Sequence, residues 1–231
     1  MSFKAIFFKD LVTELRTKRV LPTMIVLGML IVWILRIACE AAPASAEVIG
    51  PISLWIAFLF SGLLVQERSF ATEQHQDCIH ALLLAPVDVG TIFLAKMLVN
   101  IVILCIFEII IVPFVLLFFR LQLTSPDRWL DLLLVLLLGN IGISSIGTLF
   151  CATVQFSSSV LSIIVLVVLL PMMIPATFAL LFLFGALPEQ LAGSGALAFV
   201  ADFRTAVGYM VAFDAVFTVA CWLLFGFVIQ E

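Results

Sequence analysis

The sequence predicts an all-α polytopic membrane protein: six transmembrane helices, an N-terminal interfacial helix, and a cytoplasmic elbow between spans 2 and 3. Three observations predict it. Of 231 residues, 65% are hydrophobic and 11% charged, against roughly 45–50% and a quarter in soluble chains. The apolar residues fall into runs long enough for the ~20 residues a helix needs to cross about 30 Å of hydrocarbon. One long polar interruption, Gln66 to Lys96 (QERSFATEQHQDCIHALLLAPVDVGTIFLAK), follows the second run. At this length residues 1–231 form a single transmembrane domain with no room for a separate soluble one.

Residues 1–20 contain Lys4, Lys9, Arg16, Lys18 and Arg19, with Phe3, Phe7, Leu11 and Leu15 at four-residue spacing. This spacing predicts an interfacial helix, although Asp10 and Glu14 blur its polar face. The basic cluster directly precedes a span and so belongs in the cytoplasm. The first span is Leu21 to Ala38, with Pro22 at the helix start and Arg36 snorkelling outward. Ala44-Ser45-Ala46 resembles a cleavage site, but the apolar run is longer than a signal peptide's h-region, so an uncleaved span is expected.

The second span, Ile49 to Val65, returns the chain to the cytoplasm at Gln66. In the elbow, residues 66–88, the first half carries Gln66, Glu67, Arg68, Glu73, Gln74, His75, Gln76 and Asp77, which belong in water or against another protein. The second half is a short apolar run that ends at Pro86, with Asp88 positioned to cap the next helix. Together they read as a small surface helix, a bend and a re-entry.

The third run, Val89 to Phe119, is too long for a perpendicular helix, so it tilts or its first two turns lie in the interface. Lys96 then snorkels inward, Asn100 lies one turn deeper on the same face, and Glu108 is left near mid-membrane. Arg120 to Asp131 reads as a polar outer loop and Leu132 to Thr153 as the fourth span. In that span Gly139, Gly142, Ser145 and Gly147 permit close helix approach, and Asn140 offers a hydrogen bond, with Glu108 as its partner. QFSSS, residues 155–159, is an uncharged inner turn. Val160 to Phe184 is the fifth run, where Pro171 and Pro175 predict a kink or break. Residues 185–207 read as outer or re-entrant, and Gly208 to Val228, containing Asp214, is the last span.

Six spans put both termini inside. Lys4, Lys9, Arg16, Lys18, Arg19, Arg68 and Lys96 then lie inside, against Arg36, Arg120, Arg128 and Arg204 outside, as the positive-inside bias requires.

Function narrows by absence. The five cysteines are far apart, His75 and His80 are five residues apart, and neither pattern is a metal-ligand spacing. Cys39 and Cys78 are the thiols expected to meet water, on opposite sides of the membrane. The sequence has no phosphate loop, no HExxH, no GxSxG, no dinucleotide glycine motif and no nucleic-acid footprint. This is not the pattern of an enzyme. Six spans and an elbow without a nucleotide site suggest the membrane half of a transporter driven by a separate ATPase.

Glu67-Arg68-x-Phe70, Leu82-Leu83-Leu84-Ala85-Pro86-Val87-Asp88 and Ala95-Lys96 resemble, in this order, the haem exporter protein B family of cytochrome c maturation. That family is a permease group within the ABC-2 (type V exporter-like) membrane-subunit class. Leu138-Gly139 with Gly147, Leu170-Pro171 with Ile174-Pro175, and the closing AFDAVFTVACWLLFGFVIQE are similar to it in position and spacing. The resemblance covers residues 3–231.

The resemblance implies an ATP-binding ABC subunit docked beneath the elbow, with Glu67, Arg68, Phe70, Asp77, Cys78, Leu82 and Pro86 as its coupling residues. It also implies a second copy of the chain, a haem-handling membrane protein, a small helper subunit, surrounding lipid, and the bacterial inner membrane as location. ATP enters through the partner, and haem, or a haem-loaded chaperone, is what the complex exports or releases. No cofactor is expected on this chain, since no tryptophan-rich haem motif is present and both histidines lie inside. The competing readings are an ABC-2 exporter for a lipid, glycan or drug, and a membrane scaffold without a transport cycle.

Overall fold

A computed structural model of the chain describes residues 3–17, 20–40, 46–74, 89–123, 125–152, 158–186, 200 and 202–230. Among these residues there are seven helices and no strand. They are α1 (Phe3–Thr17), α2 (Val20–Glu40), α3 (Ala46–Gln74), α4 (Val89–Phe119), α5 (Pro126–Ala152), α6 (Ser158–Phe184) and α7 (Phe203–Gln230). The last six each contain a segment long and apolar enough to cross a membrane.

The core is built around α5. It packs against α3, α4, α6 and α7, while α2 lies outside α3 and α4. Phe58, Phe93, Phe107, Ile143 and Phe225 are fully buried. The outward faces of α2 and α7 are apolar, with Val26, Trp33, Val216 and Phe227 exposed, as suits surfaces that meet hydrocarbon.

Residues 3–17 are helical as their periodicity predicts, and α1 packs on α4. Ile6 is buried and Phe3, Phe7 and Leu11 pack against the core, whereas Leu15 lies off the stripe with Phe8 and Val12, all exposed. An interfacial helix requires apolar residues on this second face.

Helix α4 spans Val89–Phe119, the bounds that the hydropathy predicts. Lys96 meets α1 two turns into it. The remaining residues, 97 to 119, reach about 35 Å at 1.5 Å per residue, close to one bilayer crossing. The first two turns thus lie at the level of α1.

Several expectations are corrected. The second apolar span ends at Leu64, within one residue of the expected Val65, but no separate surface helix follows it: α3 continues without interruption to Gln74. The stretch 120–131 is not all loop. Ser125, Pro126 and Asp127 supply an N-cap residue type, a proline at the first helical position and an acid in the first turn, so α5 starts at Pro126. Pro171 and Pro175 do not break α6, which is assigned as one helix from Ser158 to Phe184. Ser158 and Ser159 belong to that helix rather than to the inner turn. Helix α7 starts at Phe203, five residues before the predicted span, because Asp202 caps it: its Oδ1 accepts from the Thr205 amide at 2.8 Å and from the Thr205 hydroxyl. Residues 75–88, including Asp77, Cys78, Leu82 and Pro86, lie outside the described residues, as do 187–199 of the outer segment.

The C-terminal ends of two helices are closed by one device. In α4 the Leu121 amide bonds to Leu116 O at 3.0 Å and the Arg120 amide to Leu117 O at 3.4 Å; in α6 the Ala186 and Gly185 amides bond to Leu181 O and Phe182 O at 2.9 and 3.2 Å. Both place a left-handed residue at the turn, Gly185 at φ 67° and Arg120 at φ 54°, the geometry of a Schellman cap. Arginines from neighbouring helices reinforce the same ends. Arg36 Nε donates to Phe118 O at 2.9 Å, and Arg128 Nη1 to Leu183 O at 2.8 Å. Cations at helix C-termini also suit the macrodipole. Arg36 therefore binds α4 rather than snorkelling free.

Candidate functional site

The polar side chains of the spans turn inward and gather between α3, α4 and α5. Helices α4 and α5 run antiparallel, and their buried polar residues fall at multiples of four residues, with Leu104 between Asn100 and Glu108, which keeps them on one face. On α4 these are Lys96, Asn100 and Glu108; on α5 they are Asn140, Ser144 and Thr148.

At the α1 end, Lys96 is 4% exposed in its side chain and its Nζ lies 3.6 Å from Asp10 Oδ2. Asp10 also faces Lys9 Nζ at 3.4 Å. Asp10, which as sequence only blurs the polar face of α1, thus anchors that helix to the bundle.

One turn deeper, Asn100 Nδ2 donates to Gln66 Oε1 at 3.0 Å and to Thr148 Oγ1 at 3.2 Å. Gln66 Nε2 donates in turn to the Ile143 carbonyl at 3.4 Å. Gln66 is 1% exposed, so it does not lie in water as its charged neighbours suggest. It fits because Gly147 has no side chain: a Cβ there would collide with Gln66 Cδ and Cγ, and with its Nε2 at 2.6 Å. Interhelical hydrogen bonds in bilayers average about 0.6 kcal/mol and reach about 1.7 kcal/mol, so this cluster fixes register more than it stabilises.

Near mid-membrane, Asn140 Nδ2 donates to Glu108 Oε2 at 3.1 Å and lies 3.4 Å from Cys105 Sγ. This is the Glu108–Asn140 bond that the sequence suggests. A carboxylate at this depth costs about 2.5–3.5 kcal/mol on insertion scales unless it is satisfied by protein or water. Glu108 is 8% exposed, and its Oε1 has no hydrogen-bond partner among the described residues. Asn140 Oδ1, Ser144 Oγ and Asn100 Oδ1 are also buried and unpartnered there.

Asp214 belongs to the opposite face of α5. It is buried, and its Oδ1 would lie 2.8 Å from a Cβ on Gly142, which also abuts Met172 of α6. Gly139 faces the Trp55 indole of α3. Each glycine predicted to allow close packing therefore has a named occupant: Trp55 at Gly139, Met172 and Asp214 at Gly142, Gln66 at Gly147. Ser145 donates to the Gly142 carbonyl at 3.1 Å within α5.

Of the residues singled out in the sequence, Lys96, Asn100, Glu108 and Asn140 come together along one seam and Asp214 stands apart. Glu67, Arg68 and Phe70 lie on the last turns of α3, beyond Gln66. Ser144, Thr148 and Gln66 are additional members of the seam; the four-residue spacing of Asn140, Ser144 and Thr148 is the signal that reveals them. Cys39 is fully buried, which corrects the expectation that it meets outer water. Among the described residues no group of three or more His, Cys, Asp or Glu side chains could hold a metal ion.

Seven helices, six of them able to span, with polar residues turned into the bundle and apolar faces outward, define a multi-pass α-helical membrane protein. The chain belongs to the CcmB family: the model of that family, described as CcmB protein, matches residues 1–222. Membership makes it a transporter membrane subunit in haem export for cytochrome c maturation. No curated protein matches the chain.

Proposed function

We propose that this subunit couples ATP hydrolysis by a separate ABC subunit to haem export, or to release of a haem-loaded chaperone, at the bacterial inner membrane, with both termini cytoplasmic. The observation that carries this reading is the continuity of α3. Its apolar span ends at Leu64, yet the helix runs on to Gln74, an extension of about 15 Å at 1.5 Å per residue. Gln66, at the base of this lever, is bonded to α4 and α5 through Asn100 and Ile143 O. Force applied beyond Gln66 would reach the polar seam directly, without passing through a flexible joint. Glu67, Arg68 and Phe70 lie on the lever, and Asp77, Cys78, Leu82 and Pro86 follow it in the sequence. A passive scaffold has no use for such a connection. ATP binds the partner subunit, haem or its carrier is the cargo, and a haem-handling membrane protein and a small helper complete the assembly.

Thiol labelling tests the docking. An impermeant thiol reagent applied to inverted membrane vesicles should modify Cys78, and adding the ATPase subunit should slow that reaction. Glu40→Cys, at an exposed position at the far end of α2, should react only in right-side-out vesicles, with a rate indifferent to the ATPase. An ATPase-independent Cys78 rate would remove the docking assignment, and Cys78 labelling from the outside would overturn the orientation. Two copies of the chain with two ATPases are proposed per complex. Native mass measurement in mild detergent that finds one copy in an active complex would refute this.

A further inference from the structure

We propose that the seam between α4 and α5 is a water-holding half-channel that carries protons from the Asp10–Lys96 end to Glu108 Oε1, where it stops. This inference is independent of how the ATPase docks.

The antiparallel register is regular. Glu108 bonds Asn140 and Asn100 bonds Thr148, so Leu104 stands opposite Ser144 and Lys96 opposite Ala152. Successive levels are four residues apart, about 6.0 Å at 1.5 Å per residue, close to twice a hydrogen bond of about 2.7–3.0 Å to water oxygen. One water molecule between levels therefore bridges them.

The atoms needed to hold such waters are present. Asn100 Oδ1, Ser144 Oγ, Asn140 Oδ1 and Glu108 Oε1 are all buried without a partner among the described residues. Buried polar atoms in this state are normally satisfied by ordered water, which takes two to four partners of this kind. The two ends of the seam differ. At the α1 end, Asp10 keeps 15% of its side-chain exposure and contacts the exposed Lys9, which gives exchange with bulk water. Beyond Glu108 the same faces of α4 and α5 continue as Val112 and Leu136, both buried and apolar, so on these two faces the row of unpartnered oxygens ends at Glu108 Oε1.

The seam also distinguishes the two oxygens of Glu108. Oε2 accepts from Asn140 Nδ2, so the arriving proton bonds to Oε1, converting carboxylate to carboxylic acid. The water that delivered it takes a proton from the next level down, and the deficit is made good from bulk water at Asp10. No electrons move. Among the described side chains, the charged groups on the path are Asp10 of α1 and Lys96 of α4 at its mouth and Glu108 at its end. Cys105 of α4 is the titratable neighbour beside Asn140. Helix α3 contributes the Gln66 amide and, against Gly139, the Trp55 ring; α2 contributes Gly28 against Phe107. Asp214 lies on the other face of α5 and does not belong to the path.

Two measurements on the full chain in its native membrane complex test the proposal. Ser144→Cys and Leu136→Cys lie on the same face of α5, on either side of Glu108. With a small hydrophilic thiol reagent and peptide-resolved mass spectrometry, Ser144→Cys should react about tenfold or more faster, since a thiol needs water to ionise. Its reaction should come from the α1 side of the membrane. Equal, slow reaction at both positions would overturn the proposal. The second measurement needs no cysteine. Infrared spectra of the unmodified protein should show a carboxylic C=O band that grows on acidification, is lost in Glu108→Gln, and shifts within minutes in D2O. Ser144→Val should slow that exchange about tenfold or more by replacing a water-binding hydroxyl with methyl groups. A Glu108 band that does not exchange in the unmodified protein, or exchange unchanged in Ser144→Val, would refute the path.

Discussion

Replacing Gly139 with alanine should disturb the bundle through one neighbour. A Cβ at this position would enter the Trp55 indole at Cη2 and Cζ3 (2.6 Å from the latter) and lie 3.4 Å from Phe58 Cε1. Trp55 cannot swing away easily: it is 2% exposed and packs edge-on against Phe58 with ring centroids 5.5 Å apart. Overpacking of this kind costs about 1–3 kcal/mol. Helix propensity returns about 1 kcal/mol when glycine becomes alanine, so Gly139→Ala alone should destabilise by roughly 0–2 kcal/mol. That range is too wide to be decisive, and a double-mutant cycle is sharper. Trp55→Phe removes the colliding ring atoms, so in the Trp55→Phe, Gly139→Ala pair only the propensity gain remains. The double variant should therefore be about 1 kcal/mol more stable than Trp55→Phe alone, with a coupling of about 1–3 kcal/mol. Reversible unfolding of the purified protein in mixed micelles gives all four values. Costs that add to within about 0.5 kcal/mol would show that Gly139 is not there to admit Trp55.

Other positions give further tests. Arg120 is a non-glycine residue at φ 54°, so Arg120→Gly should stabilise by up to about 1 kcal/mol in the same unfolding assay, and Arg120→Val should do the reverse. Asp10→Ala should cost more than Lys96→Met, up to about 3 kcal/mol, because it removes a counter-charge from an ammonium that is nearly fully buried, while the carboxylate left by the second change keeps contact with water; protease release of α1 would follow the same order, and the opposite order would refute the anchoring role. The Thr205 hydroxyl and amide hold the Asp202 carboxyl below the ordinary aspartate range, so its cap is at full strength above about pH 5 and is lost as pH falls through the lowered native value. The melting-temperature gap between wild type and Asp202→Ala should therefore be constant at neutral pH and close in acid; a gap that widens in acid would reverse the sign.

The spans were legible because hydrocarbon demands long apolar runs, and the bounds of α4 follow from that demand alone. Close packing along α5 was also legible, since Gly139, Gly142 and Gly147 serve little other purpose in a spanning helix. Gln66 was misread for a specific reason. It opens a run of charged residues, and composition assigns it to their environment, yet its partners Asn100 and Ile143 are 34 and 77 residues away and its space is made by Gly147. The Asp10–Lys96 pair is hidden in the same way, as a contact between an amphipathic helix and a span. Helix starts at Pro126 and Phe203 were set by local caps inside polar stretches, where hydropathy gives no boundary. Pro171 and Pro175 predict a kink or break by removing amide donors, but α6 is one helix as far as Phe184.

Helix α5 meets α3 and α4 on one face and α6 and α7 on the other, and this has a consequence for how the chain is made. Synthesis delivers helices in order, so α5 enters the bilayer with its Trp55 and Asn100 partners already present, while Met172 and Asp214 are still untranslated. For that interval the Gly142 face is a vacant groove against lipid. Asp214 in turn arrives as a carboxylate that needs that groove in order to leave the lipid. A chain stopped after Ala152 should therefore be inserted yet recognised as unfinished and degraded, and a separately expressed α6–α7 fragment should rescue it by filling the groove. Helix α7 would then act as the signal that this bundle is closed.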